Sequence, residues 1–193
     1  MKTVDIDLNK RYTYADYLTW LDDKRRELIN GFVHLMPPAP RRRHQGISSF
    51  LNYSIFNYLK NKECKIYSAP FDVRLPKKDE TADEKIYTVV QPDISVICDP
   101  NKLDERGCIG APDLIVEILS PSTAKKDMND KFILYQESGV KEYWIVNPND
   151  ENINVFLLDT KGKYQLIGMY AGDMKIKVNI FENLEIKLEE IFN

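Results

Sequence analysis

An acidic side chain in the middle of an apolar run is the feature of this sequence that most directly suggests chemistry. The stretch APDLIVEILSPST, residues 111–123, places Glu117 among aliphatic residues that predict a buried strand. Burying a carboxylate without a partner is costly, so Glu117 requires a cation, a set of hydrogen-bond donors or a metal ion.

Two aspartates that each follow a proline are candidate partners for Glu117. Asp113 stands four residues earlier on the same predicted strand, so the two Cα atoms would lie about 13 Å apart, too far to share one ion, and we interpret Asp113 as a turn residue. Asp93, in QPDISVI, belongs to another predicted strand and can lie beside Glu117 if the two strands are neighbours. Carboxylates that meet in this way, with room for water and a phosphate, predict a Mg²⁺ site for phosphoryl chemistry. The alternative is that Glu117 pairs with a lysine.

Three polar residues spaced by four follow on the next predicted helix. Asp127, Lys131 and Tyr135 would share one face, where Asp127 could support Lys131 in an i,i+4 pair. That face could carry the ammonium of Lys131 to Glu117, to act on a water nucleophile or a phosphate oxygen. The same spacing also fits a solvated face with a salt bridge that contributes little, and both interpretations stay open.

Hydrophobic periodicity and turn signals predict the elements that position these residues. A helix after Thr13 and a hairpin around Asn30-Gly31 come first, followed by a helix over residues 44–60. Three strands, in residues 65–76, 87–99 and 113–120, precede a helix that ends at Gly139, a fourth strand and a C-terminal hairpin. We predict an α/β (α+β) fold with a mixed sheet and a crossover helix. It would be a single domain over 1–193, with a helix and hairpin in 1–40, the core in 41–148 and further strands in 149–193.

Composition narrows the class of protein. The 193 residues are 43% hydrophobic and 30% charged, with a formal net charge of −3, which argues against a strongly basic coat protein for nucleic acid. No apolar run approaches the roughly 20 residues that a membrane helix needs, so we expect a soluble, cytoplasmic protein. Three cysteines without a CxxC pair predict free thiols, with neither a disulfide nor a structural zinc site.

Several motifs in one order carry a resemblance to a known family. The segments RRELINGFVHLM, QPDISVI, APDLIVEILSPST and GVKEYWIVNP, with the spaced Asp127 and Lys131, together resemble the Uma family of putative restriction endonucleases, a branch of the PD-(D/E)XK nuclease superfamily. The resemblance runs from about residue 12 to residue 190. It implies a restriction-endonuclease-like fold and Mg²⁺-dependent hydrolysis of phosphodiester bonds, with Mn²⁺ as a possible substitute and DNA as the expected substrate.

The resemblance also implies roles for residues of this chain. Asp93, Glu117 and the backbone carbonyl of Ile118 would hold the metal ion, and Glu27 of ELING would be a further acid from an earlier element. Without the resemblance, Glu27 would be interpreted as a surface residue of a strand. The superfamily's lysine usually stands two residues after the glutamate, where this chain has Leu119, so its role would pass to Lys131 on the following helix.

A second group of residues is predicted to contact the substrate. His44 matches a position where the family often has a histidine, although a polar residue at the start of a helix, beside a basic surface run, explains it slightly better. Arg42 and Arg43 beside it could contact phosphate, and Asp127 and Tyr135 complete the set.

Two other classes of protein fit the same residues. One is a catalytically inactive module that keeps the nuclease fold for binding or assembly, and the other is a structural protein in which Glu117 and Lys131 form an internal ion pair.

If the protein is a nuclease, cleavage of both strands of a duplex would favour a homodimer with two sites.

Overall fold

The computed structural model describes residues 4–36, 39–78, 80–120 and 129–193. The α-helices in these ranges are α1 (Tyr14–Tyr17), α2 (Arg42–Leu59), α3 (Asp130–Ser138) and α4 (Leu188–Phe192). The strands are β1 (Arg26–Ile29), β2 (Phe32–Leu35), β3 (Lys65–Ser68), β4 (Val73–Arg74), β5 (Val89–Val90), β6 (Ile94–Ile97), β7 (Leu103–Asp104), β8 (Gly107–Ile109), β9 (Leu114–Ile118), β10 (Glu142–Asn147), β11 (Asn152–Leu158), β12 (Tyr164–Ala171), β13 (Lys175–Lys177) and β14 (Glu185–Lys187).

Two six-stranded sheets and one two-stranded sheet organise the described residues. The central sheet has the order β12-β11-β10-β9-β6-β3, the flanking sheet has the order β2-β1-β5-β4-β8-β7, and β13 pairs with β14. In the central sheet β9 and β10 run parallel, and α3 lies between them in the chain. The predicted mixed α+β architecture, with a crossover that contains a helix, is confirmed. A single domain over 1–193 stays a prediction.

Helix α2 covers one face of the central sheet. Ile47, Leu51, Ile55 and Leu59 recur every four residues, are all buried, and belong to the core cluster that includes Val116 of β9. The helix predicted over residues 44–60 is therefore confirmed, although it begins two residues earlier, at Arg42.

The other face of the central sheet packs against α3 and the flanking sheet. Ile115 of β9 and Tyr143 of β10 share a buried cluster with Tyr135 of α3 and with Val73 and Val90 of the flanking sheet. The two sheets therefore meet in one core next to α3.

The N-terminal hairpin and helix have the predicted turn and cap. Asn30 and Gly31 have φ angles of 52° and 89°, as a two-residue type I′ turn requires, and this conformation favours asparagine and glycine. Thr13 and Asp16 form a capping box at the start of α1. The helix ends at Tyr17, however, and Leu21, one turn further along the chain, is 83% exposed.

Two segments that were each predicted as one strand are divided between the sheets. Residues 65–76 contain β3 of the central sheet and β4 of the flanking sheet, and residues 87–99 contain β5 and β6 in the same way. Pro70 and Pro92 lie between the two halves. Proline has no N–H to give to a strand ladder, so each segment leaves one sheet and enters the other at its proline.

The expectation of three free thiols is wrong, because Cys64 and Cys98 form a disulfide and only Cys108 of the three is free. Lys65 pairs with Ile97 between β3 and β6, and one further step in this register places the two cysteines opposite each other. Their separation of 34 residues in the chain gave no sign of this strand pairing.

Candidate active site

Asp93 and Glu117 meet at the end of two neighbouring strands. Strands β6 and β9 are antiparallel with Ile94 opposite Val116, so one more step in the register brings Asp93 opposite Glu117. Oδ2 of Asp93 accepts a hydrogen bond of 2.8 Å from the backbone N–H of Ile118. The condition that the sequence set for a shared site, that the two strands be neighbours, is met.

The carboxylate of Glu117 is buried, 3% exposed, and has both a cation and a hydroxyl as partners. Nζ of Lys131 lies 2.8 Å from Oε1 of Glu117, and the hydroxyl of Tyr135 donates to the same oxygen at 2.7 Å. Lys131 and Tyr135 are four residues apart on α3, so they face the strand together. The interpretation of Lys131 as part of a solvated surface is wrong.

Glu27 brings a second carboxylate to the same lysine from the flanking sheet. Its Oε1 lies 3.0 Å from Nζ of Lys131 and accepts a 3.0 Å hydrogen bond from the backbone N–H of Gln91. Glu27 is 1% exposed, so its interpretation as a surface residue of a strand is wrong. Lys131 thus connects the two sheets through one acid from each.

His44 reaches the group from the first turn of α2. Its Nε2 lies 3.1 Å from Oδ2 of Asp93, and both side chains keep part of their surface in solvent. Arg42 and Arg43 are exposed, and Arg43 forms an ion pair with Glu151. Contacts of these two arginines with a phosphate stay a prediction.

The remaining predicted residues have different locations. Asp127 lies outside the described residues, so its pairing with Lys131 stays a prediction. Tyr135 has no exposed surface, and it supports Glu117 rather than facing solvent. Asp113, interpreted as a turn residue, precedes β9, accepts from the backbone N–H of Cys98 at 2.7 Å and pairs with Lys141 at 2.6 Å.

Burial keeps the hydroxyl of Tyr135 protonated. It raises the pKa of Tyr135 well above its usual value, and the negative charges of Glu117 and Glu27 raise it further. A neutral hydroxyl is a donor, so Tyr135 fixes the orientation of the Glu117 carboxylate at neutral pH.

Sequence reasoning missed Gln91 and Arg25. The side-chain oxygen of Gln91 accepts from Nε and Nη2 of Arg25 at 3.1 and 2.8 Å, and its amide nitrogen donates to Asp72 at 2.9 Å. Its backbone N–H holds Glu27. The only available signal was the position of Gln91 two residues before Asp93, and Arg25 had no signal beyond its place near Glu27.

An open cleft of about 580 Å³ leads to Asp93 and His44 along the exposed face of α2. The other residues that line it are Arg25, Pro40, Gln45, Ser48, Ser49, Asn52, Tyr53, Phe56, Ser68, Ala69 and Pro70. Asp93, next to the start of β6, and His44, in the first turn of α2, are therefore accessible to a ligand.

The donor chemistry of the group fits a hard divalent cation. Within the described part of the chain, no three His, Cys, Asp or Glu side chains form a ready metal cage. Mg²⁺ is commonly held by one or two carboxylates, and water and phosphate oxygens fill its other positions. Asp93 and Glu117 provide that smaller set of oxygen donors.

Comparison with known proteins identifies the class of fold and then the family. The structure is similar to a crystal structure described as a putative nuclease belonging to DUF820 from Anabaena variabilis ATCC 29413. The TM-score is 0.72 at 19% identity, and the match covers 94% of this chain and 97% of the other. At this identity the similarity shows a nuclease fold and no more.

The chain belongs to the Uma2 family, described as "Putative restriction endonuclease", whose match spans residues 14–189. The resemblance carried by the sequence motifs is therefore confirmed. The chain is also 28% identical over 161 residues to the uncharacterized protein slr1290 of Synechocystis sp. (strain ATCC 27184 / PCC 6803 / Kazusa). That match covers 82% of this chain and 80% of the relative. Among the described helices, none has the length and apolar character to cross a membrane.

Proposed function

We propose that this protein is a Mg²⁺-dependent endonuclease that hydrolyses phosphodiester bonds of DNA, with Mn²⁺ as a substitute ion. The family and the fold are those of restriction-type nucleases. The observation that supports the proposal most strongly is the meeting of Asp93, Glu117 and Lys131 where β6 and β9 end at an open cleft.

In this proposal the residues that hold the metal ion are Asp93, Glu117 and the backbone carbonyl of Ile118, and Glu27 completes or tunes the set. Lys131 contacts the carboxylates of Glu117 and Glu27, and Asp93 lies opposite Glu117 on the neighbouring strand. Three carboxylates and one ammonium in this group of described side chains favour a divalent cation. A bound Mg²⁺ would lower the pKa of a water molecule and neutralise charge that grows on the phosphate.

Each polar side chain of the group has a role in this mechanism. Lys131 orients the nucleophile or stabilises charge on the phosphate, and its contacts with Glu117 and Glu27 hold its ammonium in one place. Tyr135 fixes the Glu117 carboxylate from behind. His44, which contacts Asp93 at the cleft, would bind the phosphate or exchange a proton with solvent.

The test is cleavage of a labelled DNA by purified Asp93→Ala and Glu117→Ala variants with Mg²⁺ or Mn²⁺. We expect each variant to lose cleavage, and Asp173→Ala, which removes an exposed acid in a distant turn, to cleave like the wild type. The proposal is wrong if the wild type cleaves in a Mg²⁺-dependent manner and both site variants retain that activity.

The leading alternative is a catalytically inactive module that binds through the nuclease fold. The contacts of Lys131 with Glu27 and Glu117 fit this alternative and also a structural protein with an internal ion pair, because they compensate the buried acids without a metal ion. Titration calorimetry distinguishes the two proposals, since a module without metal chemistry gives no binding heat with Mg²⁺ or Mn²⁺. A homodimer and a cytoplasmic location stay predictions.

A further inference from the structure

The cleft beside Asp93 follows one face of α2. Its lining residues on that helix recur at steps of one, three or four, which places them on a single exposed side opposite the buried positions such as Leu51 and Ile55. They are His44, Gln45, Ser48, Ser49, Asn52, Tyr53 and Phe56. The cleft therefore extends from the candidate metal site along the length of the helix.

Two aromatic rings stand in the cleft with most of their surface in solvent. Tyr53 is 66% exposed and Phe56 is 58% exposed. They are three positions apart on α2, so they are neighbours on the same side of the helix. Exposed aromatic rings in a polar groove next to a basic group are the usual platform on which nucleic-acid bases stack.

The charge of the lining also fits a polyanion. Asp93 is the one acidic residue among the described residues that line the cleft, and it belongs to the candidate metal site. Arg25 lines the same cleft, and its guanidinium is held by two hydrogen bonds to the side-chain oxygen of Gln91. Ser48, Ser49 and Asn52 add hydroxyl and amide groups that can bind phosphate or sugar oxygens.

We infer that the cleft binds a single strand of nucleic acid, with bases stacked on Tyr53 and Phe56, a phosphate at Arg25, and the bond to be cut at Asp93 and His44. From His44 to Phe56 the helix rises by about 18 Å, which is the length of roughly five nucleotides at stacked spacing. This inference rests on the proposed function and adds its substrate class.

The test measures binding of a fluorescent oligonucleotide of about 20 nucleotides, as a single strand and as a duplex, by fluorescence anisotropy with Mg²⁺ present. All proteins carry Asp93→Asn so that the probe stays intact. We expect the single strand to bind more tightly than the duplex, and Tyr53→Ala and Phe56→Ala each to weaken its binding about 5- to 100-fold.

Conservative variants separate stacking from a loss of folding. Tyr53→Trp and Phe56→Tyr keep a ring and should retain binding, whereas Phe56→Leu keeps apolar bulk without a ring and should lose it. Phe32→Ala removes a 42% exposed ring outside the cleft and should have no effect. Arg25→Ala should lower the slope of log affinity against log salt by about 1, a change that Lys161→Ala on a distant turn should not produce.

The outcomes separate this inference from the proposed function. If the ring variants bind the single strand like the parent protein, or if the duplex binds more tightly, the inference is wrong while cleavage by the protein with Asp93 intact still supports the nuclease. If ring-dependent binding of the single strand occurs but the protein with Asp93 intact cleaves nothing, the cleft is a binding site for a single strand and the nuclease proposal fails. Absence of binding to either probe overturns the inference, and cleavage by the protein with Asp93 intact then decides the nuclease proposal.

Discussion

Two glutamates are buried on neighbouring parallel strands, and their surroundings differ completely. Glu117 on β9 is 3% exposed and Glu142 on β10 is 0% exposed. Glu142 shares its face of the central sheet with Trp144, which belongs to the core under α2. Glu117 shares the opposite face with Ile115, which packs next to α3. One sheet therefore buries an acid on each side.

The partners of the two carboxylates are of different kinds. Glu142 accepts hydrogen bonds from the indole N–H of Trp144, from the backbone and side chain of Asn179, and from the backbone N–H of Ile180. These donors are neutral, and burial raises the pKa of Glu142 although the donors oppose the shift. Glu117 instead has an ammonium and a tyrosine hydroxyl.

The comparison shows that burial of an acid does not by itself identify a functional site. Glu142 joins the segment at residues 179–180 to the sheet, and its environment explains it without any ligand. What distinguishes Glu117 is that the next residue, Ile118, holds Asp93 at an open cleft, and that its lysine also binds a second acid. A site requires several such groups together with access to solvent.

The largest effect should follow from removal of the Lys131 ammonium, which contacts both Glu117 and Glu27. Lys131→Met keeps most of the side-chain volume but leaves Glu117 and Glu27 buried without their shared ammonium. Loss of one partner of a buried ion pair costs about 3–5 kcal/mol, and we expect a decrease of this size in the free energy of unfolding from urea titration in EDTA.

Lys141→Met is the matched control for Lys131→Met. Lys141 also pairs with a buried carboxylate, that of Asp113, but its own side chain is 68% exposed. An exposed partner contributes little, so we expect a loss below about 1 kcal/mol. Equal losses in the two variants would show that the buried Lys131 contributes no more to stability than the exposed Lys141.

The second effect concerns activity and separates the two acids directly. Glu117→Gln should reduce Mg²⁺-dependent cleavage by about 100-fold or more, because the amide keeps the shape of the side chain and loses a charged ligand. Glu142→Gln, on the other face of the sheet, should leave the cleavage rate of the folded fraction close to that of the wild type. A comparable loss of activity in both variants would contradict the distinction between a functional and a structural glutamate.

Local sequence signals were sufficient for the parts of the fold that depend on neighbouring residues. The Asn30-Gly31 turn, the Thr13 cap and the buried stripe of α2 each follow from residues a few positions apart. The exchange of strands between two sheets at Pro70 and Pro92 was not predicted, because a proline shows where a ladder stops and not which sheet the chain joins next. The prediction of free thiols at Cys64 and Cys98 failed for a similar reason, since their disulfide depends on a strand register.

The candidate site was predicted in part, for similar reasons. Asp93, Glu117 and Lys131 could be connected because a strand pairing and a helical spacing bring them together. Glu27 came from family resemblance alone, because its contact with Lys131 crosses from one sheet to the helix beside the other. Glu142 shows the limit of the buried-acid argument, since the sequence KEYWIVNP gives no sign of the donors at residues 179–180.

A smaller effect should distinguish support of Glu117 from general packing. Tyr135→Phe removes the hydroxyl that donates to Glu117, and loss of such an outer partner lowers metal affinity or activity about 10-fold or more. We expect the Mg²⁺ concentration for half-maximal cleavage to rise by about that factor. Tyr164→Phe removes another mostly buried hydroxyl, which donates to the carbonyl of Val140, and should leave the Mg²⁺ dependence unchanged. If both variants shift it equally, Tyr135 has no specific role at the site.

The smallest effect is a pH dependence of stability that belongs to Glu142. Because burial raises the pKa of Glu142 above the usual 4.5, the folded protein keeps this proton over a range in which the unfolded chain has lost it. The folded state then binds more protons, so the free energy of unfolding falls as the pH rises from about 4.5 through the raised pKa. Glutamine does not titrate, and Glu142→Gln removes this contribution. We therefore expect the stability of the wild type relative to Glu142→Gln, from urea titrations in EDTA at a series of pH values, to decrease as the pH increases. A difference that instead grows with pH would mean that the folded protein stabilises the charged form of Glu142, and the contrast with Glu117 would then lie in access to the cleft and not in the charge of the partners.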